Sequence, residues 1–275
     1  CAIEDGCYVV RTAKYEAWVG IKSGLLEKYA VDGVEYLSGP SLAPLAIRDS
    51  EDPWAMTVNR FDDVIGAFAP VSPEESARFS GVRACTLQPV RVVESGDVRT
   101  VIESVLGWGQ SRIVLRYALP TCGAQIEVRL RVLFAEKDTM VKLAIRTPFT
   151  ESYLGQTVFG VEPLPMDGRE AVSQRWCAAV GGGRALTVIN DGVHGSSFER
   201  GEIRLSLLRG AAYAAHPIYD RPLVPQDRFT PRMDQGERLY AFRIAGGAQG
   251  ERLAHVDREA AEFSEAPYAL SFFPN

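Results

Sequence analysis

Residues able to bind metals or act as nucleophiles are few in this sequence and lie far apart. The three histidines, His194, His216 and His255, form neither an HxH nor an HExxH pattern, the spacings that bring two imidazoles to one zinc ion. Asp62 and Asp63 are adjacent carboxylates, but acid–base hydrolysis by two carboxyl groups requires a fixed separation that sequence alone does not give. The sequence therefore predicts no catalytic residue and no metal ligand.

The five cysteines, Cys1, Cys7, Cys85, Cys122 and Cys177, are scattered and form no CxxC pair. An odd number without a repeated spacing is typical of free thiols rather than of a disulfide framework. Thiols stay reduced in the cytoplasm, and the first residues contain no apolar signal-like segment. These features predict a bacterial cytoplasmic protein with several buried cysteines.

Length and composition limit the possible partners. The chain has 275 residues, of which 46% are hydrophobic, enough to bury the core of a single large domain spanning residues 1–275. Its net charge is -5 and it has no basic run, which argues against a nucleic-acid partner. No run approaches the roughly 20 apolar residues that cross a membrane. We expect neither a nucleic acid nor a membrane as a partner.

Alternation of apolar and polar residues with a period of two is the main structural signal. Between Ile126 and Val132 every second residue is apolar and the others are charged, as in a strand with one face on a core. Gly181-Gly182-Gly183 lacks the ending of a phosphate loop and predicts a hairpin turn. Further strands are predicted over 98–106, 112–117, 141–146, 185–189, 203–208 and 239–244. Short strands joined by turns predict antiparallel sheets packed face to face.

Two segments depart from this alternation. Residues 249–263 carry apolar side chains at Leu253, Val256, Ala260 and Phe263, a spacing near 3.6 that predicts one helix near the C-terminus. Residues 49–75 form a polar and aromatic stretch that is too long for a turn. Long ordered loops tend to be functional or to cover another domain.

Five short motifs follow one another between residues 92 and 242. They are VVESGDVR at 92–99, QRW at 174–176, NDGVHG at 190–195, IRLSLLR at 203–209 and DQGERLYAF at 234–242. Together they resemble the C-terminal region of glycoside hydrolase family 38, the α-mannosidases. Asp97 stands where the family usually has proline, and Arg238 stands where it has histidine. These departures leave the sugar specificity open.

The resemblance implies an all-β fold, a large antiparallel two-sheet supersandwich of the galactose mutarotase type, with the short helix near its C-terminus. It also implies a longer polypeptide, because the zinc site and catalytic nucleophile of the family lie upstream of the matched region. No cofactor is therefore expected in this chain, and zinc is expected in the catalytic domain. The expected partners are that upstream domain and carbohydrate.

The resemblance and the residue types together suggest candidate contacts to a sugar. The candidates are Asn190, Asp191, His194, Arg209, Asp234, Gln235 and Trp54. Each has a structural alternative: Asn190 and Asp191 also favour turns through their own side chains, and Trp54 could anchor a domain interface instead of stacking on a sugar. Arg209 closes a strand that is predicted to be buried, so its charge requires a partner such as Asp234 or Asp191.

Three functional hypotheses remain open at this point. The first is a non-catalytic C-terminal domain of an α-mannosidase, inactive alone, that supports the catalytic domain and contributes loops to the sugar pocket. The second is a stand-alone carbohydrate-binding module, suggested by the aromatic stretch 49–75. The third is a mutarotase-type sugar epimerase, which needs positioned histidine and carboxylate groups that the sequence does not pair.

Overall fold

The computed structural model describes residues 1–49, 58–212, 231–265 and 267–272. Strands dominate these ranges. In chain order the elements are β1 (Ala2–Glu4), β2 (Cys7–Arg11), β3 (Tyr15–Gly20), β4 (Leu26–Val31), β5 (Val34–Glu35), β6 (Ala43–Arg48), β7 (Val64–Ala67), β8 (Ala69–Pro70), α1 (Pro73–Phe79), β9 (Val90–Ser95), β10 (Arg99–Trp108), β11 (Ser111–Pro120), β12 (Ile126–Phe134), β13 (Thr139–Arg146), β14 (Ser152–Thr157), β15 (Gly160–Pro163), β16 (Ala171–Val172), β17 (Trp176–Gly181), β18 (Arg184–Asn190), β19 (Gly195–Glu199), β20 (Glu202–Arg209), β21 (Gly236–Ala248) and α2 (Gln249–Ser264).

The strands form three antiparallel sheets. A ten-stranded sheet has the order β15-β14-β17-β18-β21-β12-β11-β10-β8, with β9 also paired to β10. A six-stranded sheet has the order β16-β19-β20-β13-β6-β7, and a five-stranded sheet runs from β1 to β5 in sequence order. The all-β antiparallel prediction is confirmed, and the strands at the start of the chain form a separate five-stranded sheet.

Alternation along each strand places one continuous core between the sheets. In β12, Ile126, Val128, Leu130 and Val132 are buried and share one hydrophobic cluster with residues of the six-stranded and five-stranded sheets. The charged residues between them lie on the opposite face, because successive side chains of a strand point to opposite sides. The predicted strand at Ile126–Val132 is therefore confirmed, with the predicted face inward.

Helix α2 covers the outer face of part of the ten-stranded sheet. Val256 and Ala260 pack against Trp176, Ala178 and Ile189 of β17 and β18. These two strands are buried on both faces as a result, and their sequences are mostly apolar instead of alternating. The predicted helix over 249–263 is confirmed, with its apolar face on the sheet.

The stretch predicted as one long loop over 49–75 contains regular structure in its described part. Strands β7 and β8 and the start of α1 lie within it, so the loop prediction is wrong for those residues. Ser72 caps α1 by accepting the backbone N–H of Glu75 at 3.2 Å, and Pro73 occupies the first helical turn, as helix N-termini favour. Two-residue and four-residue strands are too short to show a period of two.

The five cysteines are free thiols, as predicted. Only Cys177 among them is buried, which corrects the expectation of several buried cysteines. Cys1, Cys85 and Cys122 are exposed, and Cys7 is partly buried in β2. In the described part of the chain, no helix is both long enough and apolar enough to cross a membrane.

Candidate functional site

Asn190 holds the turn that follows β18. Its side-chain Oδ1 accepts the backbone N–H of Val193 at 2.8 Å, and its Nδ2 donates to the carbonyl of Gln174 at 3.2 Å. Gly192 has φ +87°, a left-handed conformation that glycine adopts without steric cost. Since Asn190 is buried and both ends of its amide are bonded, its role in this turn is to fix the backbone.

Asp191 and His194 project from the fixed turn into solvent. Both residues are exposed. The His194 Nδ1 lies 3.2 Å from the carbonyl of Gln174, and the backbone N–H of Asp191 donates to the carbonyl of Ala241 at 3.1 Å. The turn therefore presents a carboxylate and an imidazole whose remaining polar atoms are accessible to a ligand or to another domain.

The motif Gln174-Arg175-Trp176 forms a joint between strands β14 and β17 and helix α2. The backbone N–H of Gln174 donates to the carbonyl of Gln156 at 2.8 Å. The side chain of Gln156 and the indole N–H of Trp176 both donate to Asp257 Oδ1, at 2.8 and 2.7 Å. We name these five residues the QRW corner. Because Gln174 also receives the hydrogen bonds of Asn190 and His194, the corner and the turn form one surface.

An apolar hairpin tip extends from the QRW corner. Strand β14 ends at Thr157, directly after Gln156, and the tip consists of Val158 and Phe159. The Phe159 side chain is completely exposed, with 101% relative accessibility, and Val158 is 68% exposed. Exposed apolar clusters on a soluble domain mark contact surfaces. The sequence analysis did not single out this tip, although adjacent Val and Phe at a hairpin turn are a usable signal.

Arg209 lies in a second polar cluster at the end of β20. Its guanidinium binds Asp49, with 2.6 Å between Nη2 and Oδ1, and covers the ring of Phe61 at 4.7 Å from the centroid. The Asp49 side chain is fully buried. Asp49 supplies the carboxylate partner that the sequence analysis had sought at Asp234 or Asp191. Nothing in the local sequence identifies it, because 160 residues separate the two positions.

Asp234 and Gln235 hold the chain at the entrance to β21. Asp234 adopts a left-handed φ of +53°, and its Oδ2 accepts the backbone N–H of Arg209 at 3.1 Å. The Gln235 amide donates to the carbonyls of Glu136 at 2.8 Å and Met233 at 3.1 Å. Asp234 thus contacts Arg209 through the backbone and not through the guanidinium. Both side chains contribute to ordering this bend.

The candidate residues fall into two groups. Asp191 pairs with Ala241 on β21, whereas Gln235 directly precedes Gly236, the first residue of the same strand. Five residues of strand correspond to about 17 Å at 3.3 Å per residue. Asn190, Asp191 and His194 therefore share one surface, and Arg209, Asp234 and Gln235 share another. Trp54 lies outside the described residues.

A buried lysine on the outer face of the six-stranded sheet adjoins the Arg209 cluster. Lys142 of β13 is fully buried, and its ammonium binds the carboxylate of Glu170 and, at 3.1 Å, the hydroxyl of Ser197. The same ammonium lies 6.0 Å from the centroid of Phe61. Burial lowers the pKa of Lys142, and the nearby Glu170 carboxylate opposes this effect. Sequence reasoning missed this pair, although a lysine inside an apolar strand is a signal.

Metal ligands do not converge in the described part of the chain. No group of three His, Cys, Asp or Glu side chains lies there in an arrangement that could hold a metal ion. His194 and His255 belong to different surfaces, the turn after β18 and helix α2. The described residues therefore contain no arrangement that fits a zinc site.

A family model described as the glycosyl hydrolases family 38 C-terminal domain matches residues 64–222. The chain belongs to this family. Four of the five sequence motifs lie within the matched region, and the resemblance recognised from them is confirmed. A comparison with curated proteins gave no match.

Two solved structures of family 38 enzymes share the fold. The crystal structure of an α-mannosidase from Enterococcus faecalis V583 is 12% identical, with a TM-score of 0.67, and the match covers 95% of this chain and 32% of that chain. A second family 38 protein from Enterococcus faecalis is 11% identical, with a TM-score of 0.70 and coverage of 96% and 33%. The family 38 C-terminal domain described here thus spans about a third of those chains.

A lower similarity is found to a galactose mutarotase-like protein. A galactose mutarotase-like protein from Lactobacillus casei ATCC 334 matches 88% of this chain and 100% of its own, at 10% identity and a TM-score of 0.42. The two Enterococcus faecalis structures establish the fold of this family 38 domain.

Proposed function

We propose that this chain is the non-catalytic C-terminal domain of an α-mannosidase-type glycosidase, which supports the catalytic domain and contributes side chains to its sugar pocket. The observation that carries the proposal is the family match over residues 64–222, together with a shared fold that covers only a third of an α-mannosidase. In the whole enzyme the chemistry would need two carboxyl groups and zinc, all supplied from upstream. The proposed partners are that catalytic domain and an α-mannoside.

The proposal also assigns the surface on which the catalytic domain docks. The apolar tip at Val158 and Phe159 adjoins the QRW corner, and the corner supports the exposed His194 and Asp191. An upstream domain seated on the tip would bury its apolar surface, which is favourable in proportion to the area removed from water. His194 and Asp191 would then lie at the edge of that contact, where an imidazole or carboxylate can hydrogen-bond a sugar hydroxyl.

The proposed setting is a reducing bacterial cytoplasm, in the breakdown of mannose-containing glycans. All five cysteines are free thiols, three of them exposed. Exposed, unpaired thiols persist in compartments where they are kept reduced. The reducing compartment is proposed from the cysteines, and the glycan from the family match.

The size of the native protein tests the proposal directly. An antibody raised against the purified chain would be used to detect the protein in an extract of its source cells. Because the chain covers 32% of the matching α-mannosidase, we expect a band about three times heavier than the 30.1 kDa of the chain. A band at 30.1 kDa would contradict the proposal.

Activity assays provide the second test. The purified chain should not hydrolyse 4-nitrophenyl α-mannoside, while the longer native protein should. Turnover by the purified chain would refute the non-catalytic role. In the longer protein, replacing Phe159 with Ser should weaken association of the two domains, as seen by limited proteolysis between them. Val172→Ser is the matched control, because Val172 is similarly exposed, at 72%, on β16 of the other large sheet.

A further inference from the structure

A large cavity lies where the five-stranded sheet, the ten-stranded sheet and helix α2 meet. Its volume is about 680 Å³, within the range of roughly 300–1,000 Å³ that small-molecule sites occupy. Turns of the five-stranded sheet contribute Lys14, Asp32 and Tyr36 to its wall, and the ten-stranded sheet contributes Arg184. This cavity contains none of the candidate sugar contacts discussed above.

Most of the charged groups that line the cavity are already paired. Lys14 binds Asp32 at 3.6 Å, Arg243 binds Glu127 at 3.7 Å, Arg252 binds Glu259 at 2.6 Å, and Arg99 binds Glu94 at 2.8 Å. Arg184, by contrast, makes no ion pair with any residue of the described ranges. Glu251, at the exposed first turn of α2, is likewise unpaired there. The cavity therefore offers one guanidinium and one carboxylate to a ligand.

Tyr36 supplies an independent sign of a missing ligand. Its side chain is fully buried, and its hydroxyl makes no hydrogen bond of good geometry in the part of the chain that the structure describes, although the Arg184 guanidinium lies close enough to interact with it. The other fully buried tyrosines each have one: Tyr29 donates to the carbonyl of Ala124, Tyr117 to that of Gly24, and Tyr153 to the hydroxyl of Ser196. A buried hydroxyl without a partner costs stability, so its retention requires a reason.

The position of the Tyr36 ring directs its hydroxyl towards Arg184. The ring packs over Gly246, where an added Cβ would lie 2.5 Å from the ring carbons, and it meets Phe149 edge to face at 5.3 Å. Burial raises the pKa of the Tyr36 phenol above 10.0, and the neighbouring Arg184 guanidinium opposes the rise. A phenol O–H and a guanidinium both donate hydrogen bonds. Side by side, they favour an acceptor that carries negative charge.

We propose that this cavity binds a small polyhydroxylated anion, a sugar acid or a sugar phosphate, whose anionic group is held by Arg184 and the Tyr36 hydroxyl. The carboxylate of Glu251 accepts hydroxyl hydrogens from the same molecule. The proposal is independent of the glycosidase assignment, because it concerns a different surface and requires no hydrolysis. Carboxylate and phosphate share the chemistry that the two donors recognise.

Calorimetric titration of the purified chain at low ionic strength tests this site. The probes are glucuronate, mannose 6-phosphate, inorganic phosphate and neutral mannose. We expect at least one of the two charged sugars to bind, and to bind about tenfold or more tightly than mannose, as the loss of a charge-assisted hydrogen bond implies. Which charged sugar binds identifies carboxylate or phosphate as the anionic group. Absence of binding by both would overturn the proposal, as would equally tight binding of inorganic phosphate.

Two variants localise the binding. Tyr36→Phe and Arg184→Gln should each weaken the charged sugar by about tenfold or more, whereas Arg131→Gln, on an exposed ion pair outside the cavity, should leave the affinity unchanged. Without ligand, Tyr36→Phe should melt at the same temperature as the native chain or higher, while Tyr153→Phe should melt lower because it loses the bond to Ser196. Native affinity in Tyr36→Phe and Arg184→Gln, or a lowered melting temperature in Tyr36→Phe, would overturn the proposal.

Discussion

Arg209 and Asp49 form an ion pair across strand β13, with 2.6 Å between Nη2 and Oδ1 and the carboxylate fully buried. Strand β13 pairs with β20, which ends at Arg209, and with β6, which directly precedes Asp49. The pair therefore connects the two neighbours of β13 on the outer face of the six-stranded sheet. Phe61 excludes water from one side of the guanidinium.

Replacing Arg209 with Met should destabilise the fold strongly. The change removes the Arg209 guanidinium from the buried Asp49 carboxylate, and breaking a buried ion pair from one side costs about 3–5 kcal/mol. The free energy of unfolding, measured by urea titration, gives the loss. Arg131→Met is the matched control: Arg131 is 53% exposed and pairs with Glu237 on the surface, where a pair contributes about 1 kcal/mol or less. Equal losses in the two variants would contradict the buried pair.

Because of Lys142, the free energy of unfolding should depend on pH in the alkaline range. Burial lowers the pKa of Lys142 in the folded state, so the unfolded state binds more protons between that lowered pKa and the unperturbed 10.5. The free energy of unfolding therefore receives a contribution that increases with pH across this interval. Urea titrations at a series of pH values should detect it in the native chain.

Lys142→Met removes the titrating group and should remove that contribution from the slope. Lys14→Met is the control, because the Lys14 side chain is 63% exposed. A native slope that persists in Lys142→Met would show that another group causes it.

Variants of Asn190 and His194 should distinguish a structural role from a functional role within the same turn. Asn190→Ala removes the two hydrogen bonds that fix the turn and leaves the buried backbone N–H of Val193 unbonded, at a cost of about 1–3 kcal/mol. His194→Ala removes an exposed ring and should leave the melting temperature of the chain nearly unchanged. In the longer enzyme, His194→Ala should lower kcat/KM for an α-mannoside. Unchanged kinetics with the same variant would exclude a substrate contact.

Cys177 should react with thiol reagents only after unfolding. It is buried, and burial raises the pKa of its thiol to about 11, so almost no thiolate is present or accessible near neutral pH. Cys1, Cys85 and Cys122 are exposed and should react rapidly with a disulfide reagent in the native protein. Counting the released chromophore in buffer and in urea measures the difference. Rapid modification of Cys177 in buffer, detected by peptide mass spectrometry, would contradict its burial.

Patterns within a short stretch of sequence correctly predicted a strand, a helix and a hairpin turn. The alternation from Ile126 to Val132 gave the correct inward face of β12, and the helical spacing over 249–263 matched Gln249–Ser264 within a residue. The glycine run predicted a hairpin, and Gly182 and Gly183 there have φ of +58° and +69°.

Such patterns could not predict contacts between residues that are distant in the sequence. Asp49 and Arg209 are 160 residues apart, and the position of Tyr36 against Gly246 depends on how two sheets pack. The candidate residues were recognised by motif, but a motif does not state whether its polar groups point at a ligand or at the backbone. Asn190 points at the backbone and His194 points outward, although only three residues lie between them.

Strand β21 has a central place in the ten-stranded sheet, between β12 and β18, yet it follows every other described strand in the chain. During synthesis, β12 and β18 cannot pair with β21 until residues 236–248 have left the ribosome. The edges of both strands therefore stay unpaired until then. Unpaired strand edges invite aggregation. At about 5–20 residues per second, synthesis of the 13 residues of β21 takes roughly 1–3 seconds, and until it is complete the two halves of the sheet expose edges that favour aggregation.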